Sequence, residues 1–154
     1  HSFPRRVLFR SDLCLHEYSR IEGIGRPRVE ASFLPEVIDA MVKVPDVWSL
    51  AAMQELSARL GHTVGPSTGT NLIAALACIA QMRERGEQGS VVTLLCDSGQ
   101  RYGHTYYSDE WLRQNGLNCR AERAALAASL DSGQLPRELP ARWQIAGDLV
   151  LLPT

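Results

Sequence analysis

The spacing of apolar positions changes character several times along the chain, and each change predicts an element. Residues 1 to about 18 scatter Phe, Leu and Val among arginines with neither helical nor alternating periodicity. Phe33 to Ala40 reads as a short helix with Pro35 in its first turn, and Met41 to Val44 as a short strand stopped by Pro45. Asp46 is the expected N-cap of the next helix. Val47, Leu50, Ala51, Leu56 and Leu60 recur there near a 3.6-residue period, and Gly61 stands where a C′ glycine belongs. Ser67 to about Arg85 is a second helix, apolar on nearly all sides from Ile73 to Ala80, as a buried central helix would be. Arg83 and Arg85 suit its C-terminal dipole and Gly86 ends it. Ser90 to Cys96 is a continuous apolar run, the pattern of a strand buried on both faces of a parallel sheet, and it ends in a turn at Asp97-Ser98-Gly99. Ser108 caps a short helix from Asp109 to about Gln114, closed by Asn115-Gly116, and Ala121 to Leu130 is a further helix. From Gly133 to Thr154 the chain reads as irregular, with one late apolar run at Leu149 to Leu152. Helices alternating with buried strands predict an α/β fold with a largely parallel sheet.

Composition narrows the function classes. The 154 residues suffice for one domain with its own core, and 45% hydrophobic with 21% charged content is that of a globular protein. A net charge of −1 offers no basic field for nucleic acid and no acidic tail. The longest apolar run, Leu72 to Ala80, is too short to span a bilayer, and the Arg-rich N-terminus lacks the apolar core of a signal peptide. Cys14, Cys78, Cys96 and Cys119 are widely spaced, with no CxxC pair and no histidine ligand set nearby. They read as buried free thiols, favour a reducing, cytoplasmic compartment and predict no metal site. Lys43 is the sole lysine, so chemistry needing a lysine amine has a single candidate. Its alternation with Val42 and Val44 places it toward solvent.

The candidate chemistry gathers at Gly65-Pro66-Ser67-Thr68-Gly69-Thr70, where the second helix opens. A glycine-flanked hydroxyl cluster there offers unpaired backbone N–H groups, short side-chain donors and the positive end of the helix dipole to an electron-rich ligand atom. The simpler reading makes Ser67 an N-cap and nothing more. Against it, a cap uses one hydroxyl, and here Ser67, Thr68 and Thr70 surround a flexible Gly69. No lysine follows and the P-loop spacing is absent, which argues against a nucleoside triphosphate. Asp97-Ser98-Gly99 is by default a turn, but it stands at the carboxyl end of an expected strand, where ligands collect in open α/β sheets. His62 and His104 are lone loop histidines. No carboxylate pair or Ser–His–Asp order stands out, and Trp48, Trp111 and Trp143 are spaced for packing.

Four motifs in order carry a resemblance: Ile21-Glu22-Gly23-Ile24-Gly25, Phe33-Leu34-Pro35, Gly65-Pro66-Ser67-Thr68-Gly69, and Leu95-Cys96-Asp97-Ser98-Gly99-Gln100-Arg101-Tyr102. Together with Tyr106-Tyr107-Ser108-Asp109-Glu110-Trp111-Leu112, they resemble the C-terminal half of the cysteine synthase / cystathionine β-synthase family over about Arg20 to Gly116. That family consists of pyridoxal-phosphate (PLP) enzymes of fold type II. The resemblance implies part of a tryptophan synthase β-like, three-layer sandwich. It implies β-replacement or β-elimination on cysteine, O-acetylserine or a related small amino acid, and a homodimer for the full-length enzyme. Ser67 matches the serine that hydrogen-bonds the pyridine nitrogen of PLP. Gly23, Ile24 and Gly25 match a loop near the substrate, and the Asp97 segment matches the support of the ring-nitrogen end. The family's Schiff-base lysine, its Asn-bearing substrate loop and its phosphate loop belong to earlier family sequence and have no match here. Lys43 falls between the second and third motifs and is not that lysine, so no catalytic residue is expected in this chain and it is expected to be inactive alone. Residues 1–17 form an unmatched segment that reads as a truncation or junction, 18–130 the enzyme-like part, and 131–154 a tail. The rival readings are a cysteine desulfhydrase or a serine/threonine dehydratase of the same fold, and a non-catalytic anion-binding α/β module.

Overall fold

The computed structural model describes residues 7–9, 19–24, 34, 37–134 and 142–145. In chain order the elements are β1 (Val7–Phe9), β2 (Ala40–Lys43), α1 (Asp46–Leu60), α2 (Pro66–Glu84), a 3-10 turn (Gly99–Tyr102), α3 (Asp109–Gln114), α4 (Arg120–Ser132) and β3 (Arg142–Ile145).

The helices follow the sequence closely. Gly61 ends α1 at φ 72°, its N–H bonded to the Ser57 carbonyl. The Ser108 hydroxyl accepts the Trp111 N–H at the start of α3. Two details differ. Asp46 does not cap α1: Pro45 precedes the helix, and the Asp46 carboxylate turns away to accept hydrogen bonds from Ser19 and Arg20. Leu60, expected on the buried face, is exposed, while Ala52 and Met53 are buried. The cause is that α1 packs on two sides. Leu50, Ala51 and Met53 join Val64, Tyr102, Tyr106, Leu112, Leu117 and Cys119 in one core. Ala52 joins Val42, Val44, Ile73, Ala74, Leu76 and Leu126 in the other, where Trp48 also packs. A two-sided helix spreads its apolar residues beyond a single stripe.

The α1–α2 crossing is close. A Cβ on Gly69 would lie 1.9 Å from the Ser49 carbonyl oxygen and 2.7 Å from the Met53 nitrogen. Gly69 is therefore a buried contact point between backbones, and the expectation of a flexible glycine is corrected. Beside it the Thr70 hydroxyl donates to the Ser49 hydroxyl at 2.8 Å. On the far side of α1, the nearly buried Glu55 carboxylate accepts from Arg59 (2.9 Å) and from Arg123 of α4 (3.3 Å).

The sheet departs most from expectation. Among the described residues it has three strands in the order β1-β2-β3, parallel between β1 and β2 and antiparallel between β2 and β3. It is a small mixed sheet, where a largely parallel one was expected. Neither outer strand was legible, since β1 lies in the aperiodic arginine-rich start and β3 in the segment read as irregular. On β2, Lys43 is half-buried, although its alternation pointed to solvent. Val37 to Asp39 hold no α-helix where the sequence predicts one through Ala40. Residues 91–96 form no strand either: the run has no regular secondary structure and pairs with no strand among the described residues, with Val92 89%, Leu94 70% and Leu95 62% exposed. Its apolar content matches a buried strand, but among the described residues no neighbouring strand or helix covers it.

Candidate functional site

The two sequence motifs with candidate chemistry lie side by side. Residues 94–99 run antiparallel to residues 63–71, joined along their length by hydrogen bonds. The Gly99 N–H donates to the Thr63 carbonyl (3.1 Å) and the Gly65 N–H to the Asp97 carbonyl (2.8 Å), and a single bridge pairs Val64 with Ser98. Side chains of α2 then continue where a strand would otherwise run. The Thr68 hydroxyl accepts the Cys96 N–H at 2.9 Å, and the Asn71 amide donates to the Leu94 carbonyl at 3.1 Å. Thr68 and Asn71, three residues apart, share one helix face, so α2 can present both to the extended segment.

Asp97 closes this junction. A Cβ on Gly65 would fall 1.8 Å from Asp97 Oδ1, so glycine leaves the room that the carboxylate occupies at the mouth of α2. Asp97 Oδ2 accepts the Tyr102 hydroxyl at 2.7 Å. Burial, with that hydrogen bond adding to it, pushes the Tyr102 hydroxyl up to about 12.

The three hydroxyls of the cluster divide into two roles. Thr68 and Thr70 are buried, and both are engaged inside the protein, with Cys96 and with Ser49. Ser67 is half-buried, and its hydroxyl makes no hydrogen bond to any of the described residues. It is not the N-cap either: Gly65 takes that place, Pro66 begins the helix, and no side chain caps it. Pro66 brings no N–H, while the first-turn amides that follow lack an intrahelical acceptor, apart from Thr68, which bonds back to the Gly65 carbonyl at 3.1 Å.

The third motif reaches the same neighbourhood through a pinned turn. Ile21 to Ile24 form a β-turn closed by the Ile24 N–H to the Ile21 carbonyl (3.3 Å), with Gly23 at φ 82°, a conformation that favours glycine. Its stem is tied from several directions. The Ser19 hydroxyl and the Arg20 N–H donate to the two Asp46 oxygens (2.8 and 2.6 Å), the Tyr106 hydroxyl donates to the Arg20 carbonyl, and the Arg20 guanidinium donates to Asn115. The tip is tied by Arg101, whose guanidinium pairs with Glu22 and lies 5.0 Å from the centre of the Tyr102 ring. Gly25, the remaining residue of the expected loop, lies outside the described residues. Asp46, Arg101 and Asn115 carried no periodic signal as loop anchors. Tyr106 stood in the last family-like motif, but without a role.

The remaining candidates sit elsewhere. His62 and His104 are exposed. A cleft of about 490 Å3 is lined by Gln54, Ser57, His62, Tyr107, Asp109 and Arg123 among others, and includes neither Ser67 nor the Glu22–Ile24 tip. The expectation of buried thiols holds for Cys119 alone of the three described. Cys78 is half-buried and Cys96 exposed, because the segment that carries Cys96 is uncovered. Burial pushes the Cys119 thiol up to about 11. Cys14 lies outside the described residues.

Comparison with known proteins decides the lineage. No family model matches the chain. An L-cysteine desulfhydrase from Mycobacterium tuberculosis is 56% identical over 124 residues, covering 80% of this chain and 34% of that protein. The chain belongs to the cysteine synthase / cystathionine β-synthase family. A Caenorhabditis elegans protein named as pyridoxal-phosphate dependent is 32% identical over 114 residues, 66% of this chain and 26% of that protein. A cysteine synthase from Schizosaccharomyces pombe is 31% identical over 99 residues, 63% of this chain and 24% of that protein. The chain thus spans 24–34% of the length of these curated relatives. Family membership also answers the fold question at its coarser level, as fold type II, while the described residues remain rich in helix with little sheet. No helix among them is long and apolar enough to cross a membrane.

Proposed function

We propose that this chain provides the ring-nitrogen end of a PLP site in an enzyme that removes or replaces the β-substituent of cysteine or a related amino acid. The observation that supports the reading is Ser67: of three clustered hydroxyls it alone has no partner among the described residues, at an uncapped helix start. A free hydroxyl held there by engaged neighbours fits the nitrogen of a pyridine ring. PLP, when bound, supplies the electron sink that stabilises negative charge at the substrate Cα. Ser67 would hold the ring nitrogen by donating a hydrogen bond and, being neutral, would leave it unprotonated. A weaker sink results, which favours loss of the β-substituent over transamination. Thr68 and Asn71 hold the 94–99 segment in place behind Ser67. Glu22, Gly23 and Ile24, with Gly25 following, form the turn that borders the substrate. Lys43, on β2, is outside this set. The chain then has no residue that links covalently to the cofactor and does not turn over substrate by itself. The free Cys78, Cys96 and Cys119 agree with a reducing, cytoplasmic setting.

Within that chemistry, the 56% identity to an L-cysteine desulfhydrase, against 31% to a cysteine synthase, favours β-elimination from cysteine with sulfide release. A product assay on the full-length protein is the test. L-cysteine alone should yield sulfide. Sulfide consumption in the presence of O-acetylserine would move the assignment to a synthase, and ammonia from serine or threonine to a dehydratase. Treating the present chain with PLP and borohydride should leave Lys43 unmodified; a stoichiometric adduct there that supports turnover would overturn the proposal.

A further inference from the structure

The Ile21–Ile24 turn is held unevenly. Its stem is fixed by at least four hydrogen bonds, which reach Asp46, Tyr106 and Asn115, and Ile21 itself is buried. Its tip, Glu22 and Gly23, is exposed, and among the described residues it rests on one turn hydrogen bond, Ile24 to Ile21, and one ion pair, Glu22 with Arg101. Both partners of that pair face water, at 58% and 64% side-chain exposure, so the pair is weak and screened by salt. Arg101, by contrast, stands on a braced platform. Its guanidinium lies over the Tyr102 ring, the Tyr102 hydroxyl is bonded to Asp97, and the Asp97 backbone is bonded to Gly65 at the mouth of α2.

We propose that Arg101 is a positioning residue that latches the tip of the turn, through Glu22, against the segment backing Ser67. Release of that pair frees Glu22 while Ser19 and Arg20 stay fixed to the core. The substrate-bordering role of the turn rests on the function proposed above; the latch itself does not. Opening separates Glu22 from Arg101, and closing returns it.

The test reads solvent exchange of single backbone amides by NMR in the present chain, without cofactor. Arg101→Glu and Glu22→Arg should each speed exchange of the Ile24 amide about two- to fivefold, the range set by an exposed ion pair. The double swap should restore it, and Arg101→Lys, which keeps the charge, should retain most of the protection. Raising the salt should speed Ile24 exchange in the wild type and leave the Arg101→Glu variant unchanged. The Arg20 amide, bonded to Asp46, should stay constant throughout and so report on the fold. Unchanged Ile24 exchange in both single variants, failure of the swap to restore it, or Arg20 moving together with Ile24 would overturn the latch. The sulfide assay tests the function separately, so the two failures are distinguishable.

Discussion

Among individual residues, the same physical cause, burial of a group that must shed a proton, sets the alkaline limit of this fold. The Tyr102 hydroxyl is moved from its ordinary 10.0 to about 12, mainly by burial and then by Asp97, and the Cys119 thiol from 9.0 to about 11 by burial. Each group holds its proton more tightly folded than unfolded. The folded state therefore binds more protons between pH 9 and 12, and stability must fall as pH rises through that window. Urea unfolding midpoints should be level up to about pH 9, the ordinary value of the Cys119 thiol, and then drop. Tyr102→Phe should flatten part of that drop, at the expense of one charge-assisted hydrogen bond worth about 1.5–3 kcal/mol at neutral pH. An equally steep drop in the variant would show that Tyr102 does not titrate this way. Little of this could be read from the sequence. Tyr102 stood out by its motif, but its pairing with Asp97 depends on where the turn at Gly99 directs the chain.

At the scale of elements, the α1–α2 crossing is the most exacting contact, and it explains a glycine that sequence reasoning misread. Gly69→Ala would press a methyl group against the Ser49 carbonyl and the Met53 amide, backbone atoms of a packed helix that cannot move alone. The expected loss is about 1–3 kcal/mol of unfolding free energy, measured by denaturant titration, with Ser67 carried out of place as α2 shifts. A stability change within 0.5 kcal/mol, the ordinary range for surface substitutions, would rule out the close crossing. The helices themselves were legible because each carries its own signals: Gly61 after α1, Ser108 before α3, the periodic Leu and Ala positions between. The strands were not. β1 and β3 become strands only by pairing with β2, a non-local condition that leaves no mark on Val7–Phe9 or Arg142–Ile145 alone. Residues 91–96 err in the opposite direction, with a strand's composition and no strand beside them among the described residues. The candidate site was legible in part for the same reason. Gly65–Thr70 and Asp97–Tyr102 announced themselves as motifs. The division of labour among Ser67, Thr68 and Thr70, and the anchoring of Glu22 by Arg101, exist only in three dimensions.

For the molecule as a whole, that uncovered run dominates the expected solution behaviour. Val92, Leu94 and Leu95 present apolar side chains to water within four residues, on a segment held at its end by Asn71, Thr68 and Gly65. Upstream of that anchorage no strand among the described residues pairs with the backbone, so apolar surface and free hydrogen-bonding edges coincide there. A net charge of −1 adds almost no long-range repulsion between copies. The isolated chain should therefore self-associate as its concentration rises, visible as a concentration-dependent sedimentation coefficient. Val92→Lys with Leu94→Glu should reverse this without changing the unfolding midpoint by more than the roughly 0.5 kcal/mol typical of surface substitutions, because both side chains are exposed. Salt distinguishes the cause: association through apolar contact persists or strengthens in sulfate, whereas association through ion pairs between copies weakens. A chain that stays monomeric at high concentration, or a doubly charged variant that associates as strongly as the wild type, would mean that residues 91–95 are covered in solution.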